Sequence, residues 1–162
     1  MRIRQAQAGD ADAIAAITNA IIRDTLVTFT TVERSSDSIA TDIQMRGSAY
    51  LVAEDAGRVL GFAAYGPFRS GPGYAQCREH TVQLHADARA QGVGKALMTA
   101  LEDAARADGV HVLVAGISSA NPGAVAFHAK IGFTQVGRMP EVGVKWGKRL
   151  DLVLMQKILT ED

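Results

Sequence analysis

Apolar and polar positions follow two rhythms along this chain, and the rhythm changes from element to element. Ile3 opens a short strand. Behind Asp10, a residue type that caps helix starts, Ile14, Ile17, Ile21 and Ile22 recur at helical spacing and predict a first helix. Thr25 to Thr31 is a poor helix former and reads as loop. Ser35-Ser36-Asp37 can start a second helix, with Ile39 and Ile43 four apart on one face. Ala49 to Ala53 and Val59 to Tyr65 are apolar runs either side of Glu54-Asp55-Ala56-Gly57-Arg58, the pattern of a hairpin with a polar turn. Gly66 to Gly73 is loop by composition, and Thr81 to His85 alternates as a strand. Val93, Ala96, Leu97, Ala100, Leu101 and Ala104 form the apolar stripe of a helix over Val93 to Ala107. Val110 to Ala115 reads as a buried strand, Asn121 to Lys130 as a short helix, and Phe133 to Val136 and Leu150 to Met155 as late strands. The order βααββ–βα–βα–ββ calls for a layered α/β or α+β architecture.

Composition narrows the function. With 162 residues, 48% of them hydrophobic, and no linker or repeat, the chain 1–162 is expected to be one domain with one real core. Seventeen basic side chains balance seventeen acidic ones, which argues against a partner held by bulk charge, whether nucleic acid or anionic lipid. The single cysteine, Cys77, excludes an internal disulfide framework and fits a reducing compartment. No apolar run is long enough for a membrane span, and the opening Met1-Arg2-Ile3-Arg4-Gln5 lacks a signal-peptide core. A cytoplasmic location is expected. His80, His85, His111 and His128 lack ligand spacing, so no metal is expected. Cys77 reads as a small packed residue rather than a nucleophile, and the basic stretch Lys145 to Arg149, with Trp146, as a loop or dimer contact.

The sharpest chemical feature is Arg89-Ala90-Gln91-Gly92-Val93-Gly94-Lys95, between a strand and a helix. Glycines let backbone amides approach an anion, a helix start adds unpaired N–H groups, and Arg89 and Lys95 add charge: equipment for a pyrophosphate. It is not a Walker A loop, because Arg89 stands where the first glycine belongs and Ala96 where a magnesium-binding hydroxyl would be. Nor is it a Rossmann fingerprint, whose third glycine would fall at Leu97. An exposed turn that merely starts a helix remains the plain alternative.

Arg89-x-x-Gly92-x-Gly94 resembles the Q/R-x-x-G-x-G/A acetyl-CoA signature of the GNAT superfamily of N-acetyltransferases. Asn121-Pro122-Gly123-Ala124 followed by Phe127 to Phe133 is similar to that superfamily's N-x-x-A-x-x-L-[YH]-E-x-x-G-F block. Gly66-Pro67-Phe68-Arg69, Tyr74, Glu79-His80-Thr81-Val82, Asn19 to Ile22 with Thr28-Phe29, and Gly143 to Gly147 resemble the phosphinothricin and methionine sulfone/sulfoximine subgroup.

The resemblance implies a central mixed, mostly antiparallel sheet flanked by helices, acetyl-CoA as cosubstrate, a small amino-acid-like amine as acceptor, and a homodimer with Val142 to Asp151 near the partner or the acceptor. It implies cofactor contacts from Val82, Gln83 and Leu84 along a strand, from Arg89 through Ala90, Gln91, Gly92, Val93 and Gly94 to Lys95, and from Asn121, which is equally an ordinary helix cap. An amide near Leu84 would face the oxyanion. An alkyl ammonium of pKa about 10 must lose a proton before it can attack, and Glu79, just ahead of the central strand, matches the family's catalytic glutamate. Otherwise it is a surface carboxylate paired with Arg78. His128 stands where many relatives have tyrosine and is the second catalytic candidate, with packing as its alternative. Arg69 is the candidate clamp for an acidic acceptor, or else a solvated loop charge, with Phe29 and Tyr74 as pocket walls and Thr28 as a hydrogen-bond donor. Gly71, where the subgroup often has a second basic residue, departs from the pattern. Alternative acceptors are a polyamine, a peptide amine or an antibiotic amine; the alternative class is a silent acyl-CoA-binding module.

Overall fold

The computed structural model describes residues 1–160. Its elements are β1 (Arg2–Gln5), α1 (Ala11–Asp24), α2 (Ser36–Arg46), β2 (Tyr50–Asp55), β3 (Arg58–Pro67), β4 (Cys77–Leu84), α3 (Val93–Ala107), β5 (Val112–Ser118), α4 (Pro122–Lys130), β6 (Thr134–Lys145) and β7 (Lys148–Ile158). The strands make one sheet in the order β1-β2-β3-β4-β5-β7-β6. Every pairing is antiparallel except β4 with β5. That exception follows from connectivity, since α3 is the crossover that lets β5 run alongside β4 in the same direction.

Alternation along β2 and β3 sends side chains to two cores, one on each face. Tyr50, Val52, Phe62 and Ala64 pack with Ile14, Ile17, Ile21, Ile39 and Ile43 of α1 and α2. Leu51, Ala53, Ala63 and Tyr65 pack on the opposite face with Leu97, Leu101 and Phe133. The expected α3 stripe is rotated: Val93, Gly94, Leu97, Met98, Leu101 and Ala105 are buried, while the small Ala96, Ala100 and Ala104 lie at its edge. Glu102 is buried on that helix because Lys157 of β7 pairs with it at 2.6 Å.

Several details differ from expectation, among them β3, which runs through Gly66 to Pro67, and β5, which starts at Val112. β4 begins at Cys77, so Glu79 lies inside the strand rather than ahead of it. β6 and β7 extend into a long hairpin closed at Trp146-Gly147, both with positive φ, in place of two short strands. Asp10 does not cap α1 with its side chain; it takes two hydrogen bonds from Arg4, at 2.8 and 2.9 Å, and one from the Gln7 amide at 2.7 Å. No helix among the described residues is long and apolar enough to cross a membrane.

Candidate functional site

The β4–β5 pairing is short. Register runs only from Cys77↔Val112 to Glu79↔Val114, after which β4 stays with β3 and β5 pairs with β7. The two strands therefore part beyond Glu79 and leave a wedge in the sheet. The His85 amide bonds to the Leu60 carbonyl at 2.7 Å on the β3 side. Because successive amides on a strand point to opposite edges, the N–H groups of Leu84 and Val82 face the wedge. Gly61 makes room for this: a Cβ there would lie 2.6 Å from a methyl carbon of Leu84 and 2.8 Å from the Gln83 carbonyl. Gln83 accepts a hydrogen bond from Thr18 of α1, so its side chain serves the opposite face from Val82 and Leu84.

Glu79 sits at the apex of the wedge. Its cross-strand neighbour on β3 is Gly66, and on β5 a Cβ at Gly116 would stand 3.0 Å from its Oε2. Two missing side chains thus clear a hollow around one carboxylate. No ion pair to Glu79 occurs among the described residues, so the expected alternative of pairing with Arg78 is not realised. The carboxyl still meets solvent, yet the surrounding protein removes part of its water and raises its pKa above the ordinary 4.5.

The glycine turn lies where strand β4 hands over to α3. Ala90 and Gly92 both have positive φ, 61° and 79°, and Gly92 is the N-cap of α3 without any side-chain capping bond. The first amides of α3 are therefore left for an external acceptor, which fits a diphosphate at that helix start. Gly94 serves a different purpose: its missing Cβ lets Phe127 of α4 approach, since a methyl there would be 3.3 Å from the ring and 3.7 Å from Leu84. Arg89, Gln91 and Lys95 are exposed around the turn, with Gln91 donating to the Asp87 carbonyl at 2.9 Å. The Val93 side chain is buried and anchors the helix, while its backbone amide is among those at the helix start. Asn121 caps α4, its Oδ1 accepting from the Ala124 amide at 3.2 Å.

His128 is buried, and both ring nitrogens are engaged. Nδ1 lies 2.8 Å from the Ala124 carbonyl, which can only accept, so Nδ1 carries the proton. Nε2 is then the acceptor for His80 Nε2 at 3.0 Å, which leaves His80 Nδ1 without a partner, as observed. Burial pushes both imidazoles below the ordinary histidine range, and they face each other as a neutral pair. His80 was not singled out as a site residue, and only its even-numbered alternation with Val82 and Leu84 places it on that face.

The expected acceptor residues form two groups. Arg69 and Tyr74 both lean on Phe68, Arg69 Cζ 5.6 Å from the ring centre and Tyr74 6.1 Å between centroids, in the loop that follows Gly66. Thr28 and Phe29 lie in the segment that follows α1. Phe29 rests on Gly143 of β6, where a Cβ would come within 2.6 Å of its ring. Thr28 lines a cavity of about 220 Å³ between α1, α2 and the sheet, together with Thr18, Arg34, Arg46, Thr81 and Gln83. Arg46 is the residue that sequence reading missed. Its guanidinium lies over Gly66, 3.3 Å from where a Cβ would be, on the same face as Glu79. The basic stretch at the hairpin tip also needs correction: Lys145 is no surface contact but is 1% exposed. Cys77 is half-buried, and burial raises its thiol pKa, the reverse of an activated nucleophile.

This arrangement can be set beside known proteins. The profile of the Acetyltransferase (GNAT) family matches residues 18–133. The chain belongs to that family. As a GNAT protein it is an acetyl-CoA-dependent N-acetyltransferase, and the wedge, the uncapped α3 start and the positive-φ turn fit the cosubstrate. The L-methionine sulfoximine/L-methionine sulfone acetyltransferase of Pseudomonas aeruginosa is 40% identical over 158 residues, covering 95% of this chain and 92% of the relative. The L-amino acid N-acyltransferase MnaT of Escherichia coli is 38% identical, covering 99% and 95%. The GNAT superfamily phosphinothricin acetyltransferase of Sinorhizobium meliloti, solved in complex with acetyl-CoA, superposes with a TM-score of 0.91 at 31% identity, covering 98% of this chain and 88% of that one.

Proposed function

We propose that this GNAT enzyme acetylates the primary amine of a small amino acid of the methionine sulfone, methionine sulfoximine or phosphinothricin type, by direct transfer within a ternary complex. The observation that carries the reading is Glu79: a carboxylate with no ion-pair partner among the described residues and a raised pKa, at the point where β4 and β5 part. Relatives that match nearly the whole chain and carry these activities support the acceptor class.

Acetyl-CoA supplies an activated acyl thioester; the remaining work falls to the chain. Arg89 to Lys95 hold the diphosphate, with Arg89 and Lys95 as counter-charges and the first α3 amides as donors. Val82 and Leu84 offer backbone pairing along the wedge, while Gln83 turns its backbone to β3 and its side chain to α1, and Asn121 caps α4. Glu79 takes the proton that the acceptor's ammonium must lose and passes it to solvent. The Leu84 N–H is the donor for charge that develops on the acyl oxygen. His128, with both nitrogens committed to Ala124 and His80, acts by fixing this end of α4 rather than by donating a proton. Burial raises the thiol pKa of Cys77, which favours direct transfer over an acyl-enzyme. Arg46, in the Thr28 cavity beside an Arg34 already paired with Asp42, and Arg69, on the loop after Gly66, are the guanidinium groups offered to the acceptor's acid end, with Phe29 and Tyr74 as walls. We place the enzyme in the cytoplasm as a homodimer.

The test is the pH dependence of Glu79→Gln. In the parent enzyme kcat/KM falls as pH drops through the raised Glu79 pKa, because the protonated carboxyl is no longer a base. The variant loses roughly 10²–10⁴-fold near neutral pH and regains activity as pH rises and free amine accumulates. Full activity of the variant at pH 7 would remove Glu79 from the mechanism.

A further inference from the structure

Lys145 is a fully buried cation for which no carboxylate partner occurs among the described residues. Such a group is costly unless other dipoles replace its water. Here three do. Nζ donates to the Ile22 carbonyl at 2.7 Å and to Thr28 Oγ1 at 3.1 Å, and it stands 4.8 Å from the centre of the Trp146 ring. Ile22 lies in the last turn of α1, where carbonyls have no partner within the helix and the helix dipole is negative. The lysine of a distant hairpin thus closes the end of α1 at the point where the chain leaves it for Thr25 to Thr31.

Two residues earlier on the same face of β6, Gly143 receives the Phe29 ring. The segment that supplies Thr28 and Phe29 has no regular structure of its own over 25–31. A loop of that kind, β-branched and outside the sheet, keeps a fixed shape only through contacts brought to it. The β6–β7 hairpin brings them as a pair, a seat for one side chain and a cationic strut for the other.

We infer that Lys145 is a positioning residue for the acceptor site: its ammonium, shared between the end of α1 and Thr28, holds the 25–31 segment in the shape that presents Thr28 and Phe29 to the acceptor. The inference rests on the reading of that segment as an acceptor wall. It assigns the hairpin a part in substrate selection without contact with substrate.

Lys145→Met keeps the length of the side chain and removes the charge and both hydrogen bonds. It is expected to raise KM for the amino-acid acceptor roughly tenfold, with KM for acetyl-CoA and kcat changed by less than about twofold. Independently of activity, amides in 25–31 should exchange with solvent roughly tenfold faster, while α3 and β5 keep their protection. Unchanged exchange in 25–31 would overturn the inference, as would equal acceleration along the whole chain, which marks a general stabiliser. If Lys145→Met does not fold, Thr28→Val removes one end of the contact without leaving a charge unpaired. Unchanged exchange and unchanged acceptor KM in that variant would also overturn it. A parent enzyme inert towards amino acids would refute the acceptor reading instead, and the exchange experiment would still decide on the strut.

Discussion

Glu79 and its two glycine neighbours show how much the space around the proposed base depends on side chains that are missing. Gly66 and Gly116 flank the carboxylate on adjacent strands, and any atom at the Gly116 Cβ position would sit 3.0 Å from Oε2. Gly116→Ala should therefore push the carboxylate a few tenths of an ångström from its place while leaving the fold intact, since β5 is regular there and the added methyl meets only Glu79 and Leu152. The expected result is a fall in kcat of roughly tenfold with KM for acetyl-CoA little changed. A variant with parental kcat would mean that the position of this carboxylate does not matter to the reaction. At the same scale, the glycines of the turn divide the labour: Gly92 provides a backbone conformation, Gly94 a close helix contact. Spacing alone marks both and cannot tell these two reasons apart.

Among the elements, legibility followed local physics. α1, α2 and the β2–β3 hairpin were readable because their apolar periods and turn residues are local properties of short segments. The start of β4 was not, because Cys77, Arg78 and Glu79 become strand only through pairing with Gly66 and Pro67 on one side and β5 on the other. The long last hairpin escaped for a similar reason. Pro140 and the bulge between Met139 and Gly143 interrupt its alternation, and tertiary pairing with β7 carries it across the gap. Lys145 shows the limit most clearly. Set among Trp146, Lys148 and Arg149 it looks like one charge of a solvated stretch, and only the return of β6 across the end of α1 buries it. The glycine turn was legible by motif, whereas Arg46 carries no motif at all and reaches the neighbourhood of Glu79 through the packing of α2 over Gly66.

At the scale of the whole molecule, a chain of zero net charge keeps its electrostatics local: cations at the glycine turn, Arg34 and Arg46 at the cavity beside α1 and α2, and one buried lysine at the end of α1. Its surface also carries exposed apolar residues on the last hairpin. Val142 and Val144 are each at least half exposed on the face of β6 opposite Gly143 and Lys145, with Trp146 at the tip. These belong in the proposed homodimer contact, and Val144→Glu should convert a particle of twice 17.2 kDa into one of 17.2 kDa by light scattering. A parent protein already at the lower mass would discard the dimer. The central claim, an amino-acid N-acetyltransferase, is tested most directly by release of CoA thiol from acetyl-CoA across a panel of amines. The account predicts turnover with L-methionine sulfone, L-methionine sulfoximine or phosphinothricin, and much less with spermidine, peptide amines or aminoglycosides. Turnover confined to one of those other amines, or tight acetyl-CoA binding with no thiol release from any of them, would contradict it.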